Sequence, residues 1–243
     1  MTSKSNPIKP LTKTRFVQAM SCPTKLYYAN HKDYPDKRME DPFLEKLAEG
    51  GYQVGELAKC MHPGGIDVFS LDTAAAVTET TELMQQDNVV IFEAAIAWND
   101  CLVRVDVLVK QDKSITLYEV KAKSYDSRGE SPFVGKRGGL DSGWKPYLYD
   151  VAFQHYVLTG AFPDHEVKPY LRLVDKAAVS SIDGINQAFR ILTVNGRRQV
   201  QIDSAVQLPH NADGLLVNVP VSDLVERIRS LSLIHISEPT RPY

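Results

Sequence analysis

A chain of 243 residues, 43% hydrophobic and 24% charged, can bury one ample core or at most two small ones. Its 14 Gly and 14 Pro, and the lack of an apolar run of about 18 residues, argue against collagenous, disordered and membrane-spanning classes. The net charge of −2 hides an asymmetry, because the segment through Arg38 carries +6 and the remainder −8. With Phe16, Tyr27, Tyr28 and Tyr34 interleaved, that basic segment suits a phosphate backbone with stacked bases, or equally a solvated helix face behind a loose terminus. Met1 to Lys13 is polar and lacks the apolar stretch of a secretory signal. Cys22, Cys60 and Cys101 stand far apart without a C-x-x-C pair, so they indicate neither a disulfide framework nor a zinc site. The expected compartment is the cytoplasm, with no membrane partner.

In chain order, Thr12 or Thr14 is expected to cap a short helix through Phe16, Val17 and Met20, which Cys22-Pro23 interrupts before Lys25 to Asn30 resume. Asp41-Pro42 starts a second helix, with the cap at Asp41 and Pro at the first helical position. Phe43, Leu44, Leu47, Tyr52, Val54, Leu57 and Ala58 then recur at helical spacing, although Gly50-Gly51 weakens the middle, and His62-Pro63-Gly64-Gly65 ends it. Thr73 to Gln86 reads as a further helix. Val89 to Ala97, Cys101 to Val109 and Ile115 to Lys121 read as a meander of strands joined at Asn99-Asp100 and Gln111 to Ser114. Ala122 to Lys145 is long, polar and glycine-rich, the mark of a functional or mobile loop. Pro146 to Gly160 returns to helix with Leu148, Val151, Ala152, His155 and Leu158 on an apolar face. Val167 to Val174 is another strand, and Asn195-Gly196 turns a hairpin between Phe189 to Val194 and Arg197 to Ile202.

Ser222 to Ser230 reads as a helix start with Leu224, Val225 and Ile228 on one face. It runs into Leu231 to Tyr243 (LSLIHISEPTRPY), which resembles a transposase-type sequencing-library adaptor translated in frame and is set apart from fold reasoning as a scar. The chain therefore divides into residues 1–230, one α/β domain, and residues 231–243, a non-native tail. The authentic protein is expected to continue beyond Ser230, leaving the domain C-terminally truncated.

The meander carries the chemistry. By strand alternation Asp106 is expected opposite Val103, Val105 and Val107, while Glu119 and Lys121 share a face. Adjacent antiparallel strands can then present Asp106, Glu119 and Lys121 together. Two carboxylates offer hard oxygen ligands to Mg²⁺ or Mn²⁺, which polarises a phosphodiester and acidifies a bound water. The Lys121 ammonium can orient that water or offset charge on the phosphorane. An Asp followed about a dozen residues later by Glu-x-Lys is also common on solvated strand faces. Glu93, mid-strand among apolar residues, is costly unless it meets a cation or metal. Glu56, on the second helix, is either a further ligand or a solvent-facing carboxylate. Asp150 and Gln154, four apart, share a helix face with Tyr147.

These residues resemble the PD-(D/E)xK nuclease superfamily and, within it, the RecB-like nucleases that include the CRISPR-associated exonucleases. Asp106 matches the motif aspartate, Glu119-Val120-Lys121 the E-x-K element, and Gln154 the Gln-containing motif. Cys22, in Ser21-Cys-Pro-Thr-Lys-Leu-Tyr-Tyr28, matches the lone N-terminal cysteine that in iron-sulfur members joins three C-terminal ones around a 4Fe-4S cluster; otherwise Cys22 is a small buried hydrophobe. The match is closest to a bacterial group with a RecB-like N-terminal half and a C-terminal half of unassigned function, and covers about Leu11 to Gly160. Where such enzymes carry a His on the early helix this chain has Glu56, and where the Gln motif ends in Tyr it has Leu158, with Tyr156 offset.

The resemblance implies a restriction-endonuclease-like α/β core, a mixed central sheet flanked by helices, that hydrolyses DNA with divalent metal, with single-stranded ends as the substrate. Asp106 and Glu119 would be metal ligands with the Val120 carbonyl as a third, and Glu93 or Glu56 would complete the shell. Lys121 would position the water, and Gln154 would support Lys121 or substrate. Lys123, Arg128, Lys136, Arg137 and Lys145 of the long loop would guide the strand, or are simply solvated. The alternative is a non-catalytic nucleic-acid or partner-binding module on the same fold. A small-molecule enzyme lacks support, since the chain has no G-x-G-x-x-G, Walker loop or G-x-S-x-G.

Overall fold

The protein, seen in a computed structural model, is described over residues 10–29, 33–34, 41–194, 197–203 and 212–236. Lys32, Lys37 and Arg38 of the basic segment, the Asn195-Gly196 turn and the end of the tail lie outside these. The elements are β1 (Leu11–Thr12), α1 (Lys13–Ser21), α2 (Pro23–Tyr28), α3 (Pro42–Cys60), β2 (Ile66–Asp67), α4 (Thr73–Leu83), β3 (Asn88–Trp98), β4 (Cys101–Gln111), β5 (Ser114–Tyr125), α5 (Lys145–Ala161), β6 (Glu166–Asp175), β7 (Phe189–Val194), β8 (Arg197–Ile202), β9 (Leu216–Pro220) and α6 (Ser222–Ile236). Local chemistry sets the helix starts. Thr12 accepts a hydrogen bond from the Arg15 amide, and Asp41 from that of Phe43 with Pro42 behind it. α6 buries Val225 and Ile228 and continues across Leu231 to Ile236.

The mixed α/β architecture expected from the sequence is present: a central sheet of parallel and antiparallel strands, flanked by helices. Its order is β2-β3-β4-β5-β6-β9, with β1 pairing parallel to the start of β4. β3, β4 and β5 form the predicted antiparallel meander. Its tight turns place Asn99 and Asp112 at positive φ, 48° and 50°, a conformation that Asn and Asp tolerate better than other side chains. α5 carries the chain back so that β6 lies parallel to β5, as a strand–helix–strand crossover requires. The short strands β1, β2 and β9 were not legible in the sequence. Two to five residues long, they exist because the neighbouring strand offers unpaired backbone groups.

One core lies under α5, where Val103, Val105, Ile115, Leu117, Leu148, Val151, Val157 and Leu158 meet. A smaller one joins α3 to the β7–β8 hairpin through Leu57, Ala58 and Phe189. Gly160 lets α5 approach β3 so closely that an added Cβ would stand 2.3 Å from the Trp98 ring. The Ala122 to Lys145 segment, expected to be a functional or mobile loop, is anchored at several points: β5 claims it as far as Tyr125, and Phe133 and Trp144 are buried. Lys123 sits over the rings of Trp144 and Tyr147, 4.7 and 5.2 Å from their centroids. Among the described residues no helix is long and apolar enough to cross a membrane.

Two histidines are built in as neutral rings. Arg172, only 1% exposed, donates to His62 Nε2 (3.0 Å), the Ala58 carbonyl and Asn218, and lies on the Tyr118 ring. Arg229 donates to His155 Nδ1 (3.0 Å), whose Nε2 faces the Val167 carbonyl. Burial first, then the neighbouring guanidinium, pushes each imidazole down to about 4.

Gly160→Ala is expected to lower stability by about 1–3 kcal/mol in urea unfolding, although Ala is the better helix former. Unfolded histidines take up protons near pH 6.5, whereas these two stay neutral to about pH 4. Their contribution is therefore whole above about pH 6.5 and is lost as pH falls toward about 4. Over that window a His62→Gln/His155→Gln variant should lose less unfolding free energy than the parent.

Candidate active site

The β4–β5 ladder runs from Gln111↔Ser114 to Val107↔Tyr118 and stops there. Beyond it the Asp106 carboxylate enters the gap, and its Oδ2 accepts the Val120 amide at 2.8 Å, so that a donor without a backbone partner on β4 is satisfied. Glu93 stands opposite, in the left-handed region at φ 55°, where a non-glycine residue in a strand is strained. The β3–β4 register is the same on both sides, Phe92↔Val107 and Ala94↔Val105, but side-chain alternation breaks. The core takes Val103, Val105 and Leu108, while Val107 lines the cavity beside Asp106. The expectation that Val107 shares a face with Val103 and Val105 is corrected accordingly.

Glu119 and Lys121 share a face, as alternation requires, and both reach α5. Glu119 has no solvent exposure. It accepts hydrogen bonds from Gln154 Nε2 (2.6 Å), from Lys13 Nζ (3.2 and 3.3 Å) and, closest, from Lys121 Nζ. Asp150, one turn before Gln154, accepts from Lys121 Nζ at 3.0 Å and from Gln154 at 3.1 Å. Gln154 Oε1 is buried with no hydrogen-bond donor among the described residues. Lys13 belongs to the first turn of α1, which β1 ties to β4, and its Nζ lies 3.6 Å from Asp106 Oδ1. The helix is pinned to α5 by stacking of Phe16 on Phe153 at 4.8 Å.

Three carboxylates thus face two ammonium groups, and the shortfall appears in their acidities. Burial raises Glu119, but the Lys121 and Lys13 charges outweigh it and hold the carboxyl well below the usual range. Asp106 is pushed up to about 7 by burial and the Glu119 charge, and Asp150 up to about 6 by the same two causes. Both lysines are raised, because carboxylate attraction exceeds the penalty of burial. Lys121 is therefore a donor and a charge, not a proton acceptor.

The cluster lies in the wall of an open cavity of about 620 Å³ between α3, β3–β5 and the β7–β8 hairpin. Tyr52 and Phe69, 41% and 58% exposed, also line it, together with Lys59 and Arg198. None of Lys123, Arg128, Lys136, Arg137 and Lys145 does; the lining cations are Lys13, Lys59, Lys121 and Arg198. Glu93 and Glu56 line the cavity as well, but Glu56 pairs with Lys59 at 3.3 Å, which also holds Asp67. Among the described residues no group of three or more His, Cys, Asp or Glu is arranged to hold a metal ion. Asp106 and Glu119 nevertheless form a pair of hard oxygen donors that already binds a cation, the Lys13 ammonium, which is the chemistry a divalent ion of this class needs. Cys22 sits at the α1–α2 junction, half-buried rather than in the core. The amides of Lys25 and Thr24 draw its thiol down. The other two cysteines, Cys60 and Cys101, end α3 and begin β4.

Sequence reasoning placed Asp106, Glu119, Lys121 and Gln154 together but missed Lys13, which nothing in its neighbourhood distinguishes from other terminal lysines. Asp150 was legible only as a companion of Gln154 at helical spacing. Neither protein-family models nor curated protein sequences offer a match to this chain.

Glu119→Gln would remove the fully buried acceptor that Lys121, Lys13 and Gln154 share, while leaving Lys121 with Asp150 and Lys13 with Asp106, and is expected to cost about 1–3 kcal/mol in urea unfolding.

Proposed function

We propose that this protein is a divalent-metal-dependent deoxyribonuclease of the RecB-like PD-(D/E)xK type, acting on single-stranded DNA ends. The observation that carries the reading is the convergence of Asp106, Glu119 and Lys121 from adjacent strands, braced by Gln154 and Asp150 of α5, on the wall of one open cavity. A Mg²⁺ or Mn²⁺ ion held by Asp106 and Glu119 would polarise the phosphodiester and acidify a water. The chain's own contribution is orientation. Gln154 fixes the Glu119 carboxylate, the Val120 amide fixes Asp106, and Asp150 holds the charged Lys121 ammonium where it can donate to the water or to a phosphorane oxygen. Glu93 and Glu56 line the same space and are the further acids available to it. The exposed rings of Tyr52 and Phe69 favour unpaired strands, whose bases stack on aromatic faces. A cytoplasmic setting accompanies this reading. An iron-sulfur role for Cys22 rests on the resemblance alone.

One observation favours a non-catalytic nucleic-acid or partner-binding module instead: Asp106 and Glu119 are already ion-paired, as purely structural carboxylates would be. Labelled single-stranded DNA incubated with Mn²⁺ or Mg²⁺ separates the two. A nuclease digests it, EDTA stops the digestion, and Lys121→Ala slows it by about 100-fold or more while DNA binding survives. Unchanged cleavage in Lys121→Ala would sink the assignment. Salt-sensitive DNA binding without cleavage at any metal concentration would favour the binding module.

A further inference from the structure

We infer that Lys13 is a resident counter-ion that competes with the divalent cation for the Asp106–Glu119 pair, so that the first turn of α1 sets the metal affinity of the site. The inference rests on the nuclease reading, in that it takes these two carboxylates as the seat of the metal.

The two lysines of the cluster differ in how they are held. Lys121 is shared between Glu119 and Asp150, 3.0 Å away on α5, so it keeps a carboxylate partner when Glu119 turns to another cation. Lys13 bridges Asp106 at 3.6 Å and Glu119 at 3.2 Å, the same oxygens that a metal would use. An ammonium and a divalent ion cannot both sit within contact distance of one oxygen pair, because their repulsion is largest where water is least able to screen it. One of them leaves, and the geometry says which part of Lys13 moves. Its backbone is fixed by the β1–β4 pairing, by the Leu11 amide on the Asp100 carbonyl at 2.7 Å, and by the Phe16–Phe153 stack. The four-carbon stem is free to rotate. Lys13 also lines the cavity, so the displaced ammonium turns toward solvent and the phosphates of a bound strand, with no rearrangement of α1. Lys13 is thus a positioning residue: it bridges the two carboxylates and offsets their charge before the metal arrives.

The test is calorimetric titration of Mn²⁺ into the full chain without DNA. Lys13→Gln removes the charge and keeps a neutral donor on a stem one bond shorter; it is expected to tighten Mn²⁺ binding by about tenfold or more. Lys13→Arg keeps the charge and grips carboxylates with a two-pronged donor; it is expected to weaken binding relative to the parent. These opposite signs let either variant decide alone if the other fails to fold. An unchanged or weaker Mn²⁺ affinity in Lys13→Gln, or an unchanged or tighter one in Lys13→Arg, overturns the inference. If the parent binds Mn²⁺ and cleaves DNA while the variants bind it equally well, only the role of Lys13 falls. If no form binds Mn²⁺ and none cleaves, the nuclease reading falls with it.

Discussion

A carboxylate without solvent contact has to be compensated on every side, and Glu119 is the point from which the rest of the site is organised. Its oxygens draw an amide from α5, an ammonium from its own strand and an ammonium from the first turn of α1. Each of those groups has a second commitment: Gln154 and Lys121 to Asp150, and Lys13 to Asp106. Burying charge is costly unless pairing is complete. A network this closely shared therefore ties the sheet, α5 and α1 into one unit whose parts cannot shift independently.

The backbone makes room for that network by giving up regular strand structure where it matters. The β4–β5 ladder ends at Val107↔Tyr118, Glu93 adopts a left-handed conformation opposite Asp106, and β5 carries two extra residues between Lys121 and Ser124 before its pairing with β6 resumes. These departures lie around the carboxylate cluster, in a sheet otherwise regular over long runs of paired residues. Strained backbone persists only where surrounding structure over-determines it, and it concentrates at sites that do chemistry. The core below, with Val105, Leu117, Leu148 and Leu158 fully buried, supplies the rigidity that holds those departures in place.

The same arrangement defines the character of the cavity. Its lining joins the carboxylate cluster to Tyr52, Phe69, Lys59 and Arg198. A polyanion entering such a space meets cations and ring faces around a carboxylate centre, so a divalent cation is the natural mediator between backbone phosphate and the acids. That electrostatic logic supports the proposed nuclease reading, in which the guiding charges would be the lining cations of α1, α3 and β8 and not those of the long loop.

The amino-acid sequence by itself determined the helix starts, through caps at Thr12 and Asp41, and the meander, through period-2 apolar runs and Asn and Asp at its turns. Alternation along adjacent strands also brought Asp106, Glu119 and Lys121 together, and four-residue spacing paired Asp150 with Gln154, because these are local rules; that Gln154 joins the carboxylates came only from the family resemblance. What it left open depends on contacts between distant segments. Lys13 reaches Glu119 across 106 positions of chain, and β1 and β9 gain their hydrogen bonds only from strands already assembled beside them. The break in alternation at Asp106 and Val107 coincides with the positive φ of Glu93 on the neighbouring strand, a pairing that β4 alone does not reveal. Tertiary structure decided these points, because a buried charge or an unpaired backbone group selects its partner by proximity in the fold, and proximity across a hundred residues leaves no local pattern to read.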